Sequence, residues 1–129
     1  MASPLLIDPN KIKLDQIVFG KDKLREINPH RYEMEQVDGI LKLDIDQALT
    51  VAYRDIKPDE FWVRGHIPGR PLFPGVLMIE SAAQVSAFYT GYMIQQGKLI
   101  LPRPDMFVGF GGVADVKFRG TVVPGNNLV

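Results

Sequence analysis

The chain has no cysteine, which excludes disulfide cross-links and thiolate metal sites and fits a reducing compartment. It has only two histidines, His30 and His66, far apart and without carboxylates spaced around them, so no metal centre is expected. Neither sign of charge is in excess. Fifteen basic residues balance fifteen acidic ones, and bulk electrostatics gives no support for nucleic acid or an anionic membrane as the main partner. There is no glycine-rich phosphate loop, no GxSxG elbow, no internal repeat and no low-complexity tract. The opening MASPLLIDPN has neither a basic start nor a long apolar run, so a secretory signal is not expected and the cytoplasm is the default location.

The 129 residues suffice for one domain around a single sizeable core. The chain is organised around RGHIPGRPLFPGVLMIESAAQ at 64–84. Pro68, Pro71 and Pro74 fix φ and remove backbone donors, which makes the first half a stiff loop. From Val76 onward the chain runs to Gly97 with no proline and one glycine, Gly91, and this spacing predicts one helix of about twenty residues, about 30 Å long. Its apolar residues cannot share a single stripe, so the helix is expected to be buried on all sides or to span a membrane. Glu80 and Gln84 fall at i and i+4 on one face. A carboxylate near the centre of a bilayer is costly, so a central helix wrapped by protein is the expectation, with no membrane span.

Elsewhere the period changes. Residues 1–26 read as an irregular lead-in, with a short helix around 14–18 and a highly charged helical turn or solvated loop at 21–26. Pro29 breaks any helix before His30 and Arg31, which enter a segment of possible helical character. ILKLDI from Ile40 alternates apolar and polar, and LTVAYR from Leu49 is rich in β-formers; with a turn near Asp46 the pair predicts an antiparallel hairpin. Residues 61–64 are expected as an edge element. Residues 106–110 and 113–123 are expected as strands bent at Gly109, Gly111 and Gly112. Strands on both sides of one helix, without a βαβ rhythm, predict an α+β fold with an antiparallel sheet around the helix.

His66 and Glu80 are the residues that carry chemistry. A loop imidazole beside an apolar channel is a natural proton acceptor, and a glutamate in an apolar setting is expected to favour its protonated form. Facing one cavity, they form the acid–base pair needed to take a proton from one carbon and protonate a hydroxyl leaving the next. Free N–H groups at the start of the helix, around Gly75 and Val76, could polarise a carbonyl oxygen. The residues alone leave open a structural loop histidine and a glutamate satisfied by Gln84.

The ordered string GHIPGRPLFPGVLMIESAAQ resembles the signature GHFPGxPxxPGVLxxExxAQ of the hot-dog-fold β-hydroxyacyl-acyl-carrier-protein dehydratases of the FabZ type. NPHRY at 28–32 resembles that family's LPHRYP element, and VKFRGTVVPGN at 116–126 its ARFRRPVVPGD; the resemblance runs from about Ile27 to Val129. It implies that His66 and Glu80 are catalytic, that the Gly75 N–H polarises the thioester carbonyl, and that Gln84 positions its neighbours. The related FabA-type dehydratase-isomerases carry aspartate where this chain has Glu80. The resemblance further implies a long helix wrapped by a curved antiparallel sheet and a homodimer in which His66 of one protomer faces Glu80 of the other. Assembly as a trimer of dimers is known in such proteins. No cofactor is implied. The implied partner is an acyl carrier protein bearing a 3-hydroxyacyl group, with Lys117 and Arg119 as contact candidates.

There are departures from the pattern. Ile67 replaces a phenylalanine, Glu33 a proline, and Ala114, Asp115, Gly120 and Asn126 thin the basic patch. The family usually continues through further strands after VVPG, so more strands are expected beyond residue 129. The competing expectations are a non-catalytic hot-dog protein that binds acyl thioester or carrier protein, a coenzyme A-linked hydratase, and a thioesterase, the last disfavoured by the retention of both His66 and Glu80.

Overall fold

The predicted hairpin is present. In the computed structural model, which describes residues 4–129, β1 (Gly39–Asp44) and β2 (Leu49–Asp55) pair antiparallel, from Gly39 opposite Tyr53 to Asp44 opposite Leu49. The register shifts between Ile40 and Lys42, a bulge that leaves Leu41 unpaired. The turn closes where Asp44 Oδ1 accepts the Gln47 N–H at 3.0 Å, with Ala48 in the left-handed region at φ 51°. A two-residue strand that the sequence pattern does not announce, β3 (Asn127–Leu128), adds to the other edge of β2, so the sheet order is β1-β2-β3.

The helix predicted from residue 76 is α2 (Gly75–Gln95). Its start is set by Pro74, whose carbonyl accepts the Leu77 N–H at 2.9 Å. Its end is a glycine stop: Gly97 at φ 68° donates to Ile94, and Lys98 donates to Met93, the paired bonds of a Schellman motif. Before the hairpin, α1 (Lys21–Ile27) takes the helical alternative for this charged stretch instead of the solvated loop, with Leu24 buried. It packs closely on α2 at Gly91, where any Cβ would lie 2.3 Å from the Ile27 side chain.

Among the described residues two apolar clusters form the core. Leu24, Val37, Ile40 and Phe88 join α1, β1 and α2, and Phe19 extends this group by tilting against Phe88 at 5.7 Å between ring centres. Ile56, Trp62 and Phe73 form the second, under Leu77, Val122 and Leu128. Full burial of Phe88 alone contributes about 1.5–3 kcal/mol.

Several sequence expectations are corrected. Residues 14–18 form turns and a bend instead of a helix, and residues 61–64 form turns instead of an edge strand. Within the lead-in 1–26, residues 1–3 lie outside the described residues. Residues 106–110 and 113–123 form no strand among the described residues. An isolated strand gains nothing until its ladder is paired, and Gly109, Gly111, Gly112 and Gly120 weaken the extended state further. Consequently α2 is not enclosed on all sides: only Ser81, Gln84 and Phe88 along it are buried, and Val76 is 71% exposed. A three-stranded sheet covers one side of a 21-residue helix and no more.

An electrostatic tie holds α1 to the segment that follows it. Arg25 donates through Nε and Nη2 to both carboxyl oxygens of Glu35, at 2.8 and 3.0 Å. The Arg25 hydrogen bond, helped by the charge of Lys21, holds the Glu35 carboxyl below its ordinary 4.5. A carboxyl depressed in the folded state stabilises at pH above its unfolded value, and that contribution is lost as pH falls through the folded value. Chemical denaturation as a function of pH should therefore show wild type losing stability below about pH 4.5 more steeply than Glu35→Gln.

Candidate active site

Two proline-glycine turns frame the loop that carries His66. In 67–70, Pro68 precedes Gly69 at φ 76° and the Arg70 N–H donates to the Ile67 carbonyl at 2.9 Å. In 123–126, Pro124 precedes Gly125 at φ 95° and the Asn126 N–H donates to the Val123 carbonyl at 3.0 Å. Both have the proline and left-handed glycine of a type II turn. The second turn clamps the sheet and loop together: Gly125 and Asn126 exchange bonds with Ile56, and the Phe73 N–H donates to Val122 at 2.7 Å.

The loop fixes the histidine by reciprocal contacts. The Leu72 N–H donates to the His66 carbonyl at 2.8 Å, and His66 Nδ1 lies 2.7 Å from the Leu72 carbonyl. A carbonyl oxygen only accepts, so the ring proton sits on Nδ1 and Nε2 keeps its lone pair. His66 is exposed, and its basic nitrogen has no partner among the described residues.

Glu80 lies on α2, one turn before Gln84. The Gln84 side chain is 2% exposed, and its orientation is dictated on both sides. Its Oε1 accepts the Gln36 backbone N–H at 2.9 Å, so its Nε2 faces the other way and donates to the Met34 carbonyl at 2.7 Å and to Glu80 Oε1 at 2.8 Å. Gln84 thus bonds to Glu80 while its own orientation is set by Gln36 and Met34. Glu80 itself is half-buried, with 31% of its side chain exposed. It lines an open cavity of about 540 Å³ between α2 and residues 108–118, whose walls include Met78, Ala83, Ala87, Val108, Phe110, Val113 and Phe118. A concave, largely apolar chamber with a few convergent polar groups suits an acyl chain carrying one reactive end.

The sequence-predicted residues do not all meet within one chain. His66 does not line the cavity that holds Glu80. Gly75 opens α2, its N–H and that of Val76 find no acceptor among the described residues, and the Phe118 ring lies so close that a Cβ there would meet it at 2.7 Å. Lys117 and Arg119 are exposed on either side of Phe118. Sequence reasoning missed His30, whose Nε2 is 3.5 Å from Glu80 Oε1. It also missed Asn28 and Gln36: Asn28 donates to the Gln84 carbonyl at 3.0 Å and so pins the segment against α2. The NPHRY string pointed to this segment, but nothing in it specifies contact with a helix fifty positions on.

Among the described residues no group of three or more histidine, cysteine or acidic side chains is placed to hold a metal, and no helix is long and apolar enough to cross a membrane.

Comparison with known proteins now adds to this geometry. Residues 28–129 match the model of the FabA-like domain. The chain is 33% identical over 129 residues to the 3-hydroxyacyl-[acyl-carrier-protein] dehydratase FabZ of Helicobacter hepaticus, an alignment spanning 95% of this chain and 76% of that protein. It is 36% identical over 110 residues to the enzyme of the same name from Oenococcus oeni, spanning 82% and 70%. It is 33% identical over 111 residues to that from Chlamydia trachomatis, spanning 86% and 69%. A matched span covering both the loop and the helix of the site, with relatives of this identity and coverage, establishes that the chain belongs to the FabA-like family with its α+β hot-dog fold, as one of the FabZ-type dehydratases.

Proposed function

We propose that this protein removes water from a (3R)-3-hydroxyacyl thioester carried on acyl carrier protein, giving the trans-2-enoyl thioester in fatty acid synthesis, and that it runs the reverse hydration as well. The observation that carries this reading is the complementarity of its two halves: an imidazole locked so that Nε2 is basic, and a carboxyl oriented by Gln84 at an apolar cavity. His66 Nε2 takes the proton from the carbon next to the thioester, and the electron pair left behind forms the double bond. The C–O bond breaks as Glu80 gives its proton to the departing hydroxyl, which leaves as water. Charge that accumulates on the thioester oxygen meets the free N–H of Gly75 at the positive end of α2. Return of the proton from His66 to Glu80 through solvent resets the pair, with no cofactor.

His66 and Glu80 act across a homodimer in this proposal, and three such dimers can associate further into a trimer of dimers. Support comes from His66 lying outside the cavity of its own chain and from large apolar side chains left open, such as Val76 at 71%, Phe107 at 86% and Phe110 at 63% exposure. Lys117 and Arg119, exposed beside the cavity-lining Phe118, supply positive charge for a carrier protein at the entrance. The setting proposed is the cytoplasm.

The test is incubation of the protein with crotonyl thioesters of acyl carrier protein and of coenzyme A, followed by absorbance of the enoyl group and by product analysis. Water addition, faster on the carrier-protein thioester, is the expected result. Release of free thiol would assign a thioesterase instead, binding without turnover a carrier, and preference for coenzyme A a different hydratase.

A further inference from the structure

We infer that His30 is a positioning residue for Glu80, holding one carboxyl oxygen as an acceptor so that the other carries the transferable proton. The inference rests on the dehydratase reading above and extends it to a segment distant in sequence from the loop and helix of the site. His30 follows Asn28 and Pro29 in a stretch held against α2: Asn28 is buried and donates to the Gln84 carbonyl, and Arg31 donates to the carbonyls of Asn28, His30 and Arg25 at 2.9, 2.6 and 2.9 Å. The backbone on both sides of His30 is thereby fixed, and its ring reaches the cavity wall beside Glu80.

The two ring nitrogens stand in different surroundings. Nε2 is 3.5 Å from Glu80 Oε1. Nδ1 is buried and has no partner among the described residues. A proton on Nδ1 would be a buried donor with nothing to receive it, and it would set the bare lone pair of Nε2 against the carboxyl oxygen. A proton on Nε2 faces Glu80 instead. That oxygen is already committed as an acceptor, because Gln84 Nε2 donates to it at 2.8 Å and the Gln84 amide cannot turn over without losing its bonds to Gln36 and Met34. Oε1 therefore accepts one hydrogen bond from its own helix, and the His30 ring of the 28–31 segment stands 3.5 Å from the same oxygen. Oε2 takes no hydrogen bond among the described residues. The acid proton accordingly resides on Oε2, in one rotamer, before substrate arrives. A carboxyl held by a single donor could rotate and present either oxygen, and small displacements at a reacting group are costly in rate.

The experiment compares wild type, His30→Ala, His30→Gln and Glu80→Gln in the carrier-protein thioester assay, with ¹⁵N spectra of ring-labelled histidine in the same wild-type protein. Gln places an N–H close to the position of the imidazole Nε2. The expected result is a fall in kcat of about 10- to 100-fold for His30→Ala with KM changed less than about 2-fold, substantial recovery of kcat in His30→Gln, and a proton on Nε2 of His30. Unchanged kcat in His30→Ala, or equal losses in the alanine and glutamine variants, would overturn the inference while Glu80→Gln remained inactive and the dehydratase reading stood. A wild type without dehydratase activity would overturn that reading. The spectra then decide on His30 by themselves, since a proton on Nδ1 excludes donation to Glu80 and a proton on Nε2 supports it.

Discussion

His66→Ala and Glu80→Gln should each lower kcat for 3-hydroxyacyl thioester dehydration by about 10²–10⁴-fold, the usual contribution of a positioned general acid or base. The two losses have different origins. Alanine removes the only group in the loop that can accept the α-proton, since the neighbouring side chains from Ile67 to Leu72 include no other base except the permanently charged Arg70. Glutamine keeps the shape of Glu80 and still accepts from Gln84, but it has no proton to give a leaving hydroxyl. Neither change should unfold the protein: His66 is exposed and glutamine is nearly isosteric with glutamate. KM should move little for either variant, and the double variant should be about as slow as the slower single one, because groups that act in one step do not lose rate independently. Steady-state kinetics with thermal melting of each protein checks this, and a variant that keeps wild-type kcat removes that residue from the chemistry.

The second large effect concerns stability. Arg54 is 6% exposed, and it is satisfied on every side: Nη2 pairs with Glu60, Nε donates to Gln36 Oε1 at 2.9 Å, Nη1 donates to the Asp55 carbonyl at 2.9 Å, and the guanidinium lies over the Phe73 ring at 5.1 Å. Glu60→Ala leaves that buried charge without its counterion and should cost about 3–5 kcal/mol. Against a typical total of about 5–15 kcal/mol this is about a fifth or more of the stability of a small domain. Glu60→Gln keeps an acceptor and should cost less. A double Arg54→Met, Glu60→Leu variant should be more stable than Glu60→Ala, because the charge and its counterion leave together. Urea midpoints at unchanged m-value measure all three. Gln36 connects this cluster to the site, since its side chain holds Arg54 while its backbone N–H fixes the Gln84 amide that orients Glu80.

The stretch from residue 64 to 97 was legible in the sequence because its instructions are local. Pro68-Gly69 specifies a turn, Pro74 starts a helix, Gly97 stops it, and the intervening residues have no breaker. The hairpin was legible for the same reason, from its period of two. What covers α2 was not. An apolar residue such as Val76 declares that it can be buried without declaring by what, and in this chain it stays open. Residues 106–123 alternate well enough to be read as strands, yet pairing depends on an edge elsewhere, and the stretch lies along α2 without a ladder. His66 and Glu80 could be proposed from residue type, spacing and resemblance. His30 was not, because its relation to Glu80 exists only after Asn28 docks on Gln84.

The central claim is that the loop histidine of one protomer works with the helix glutamate of its partner. Co-expression of His66→Ala and Glu80→Gln chains under two affinity tags tests it most directly. In a two-fold dimer each mixed pair holds one site with both defects and one with neither, so purified mixed dimers should regain about half of wild-type kcat per dimer. Random mixtures should regain about a quarter. Mixed dimers as inactive as the two parent variants would contradict the shared site.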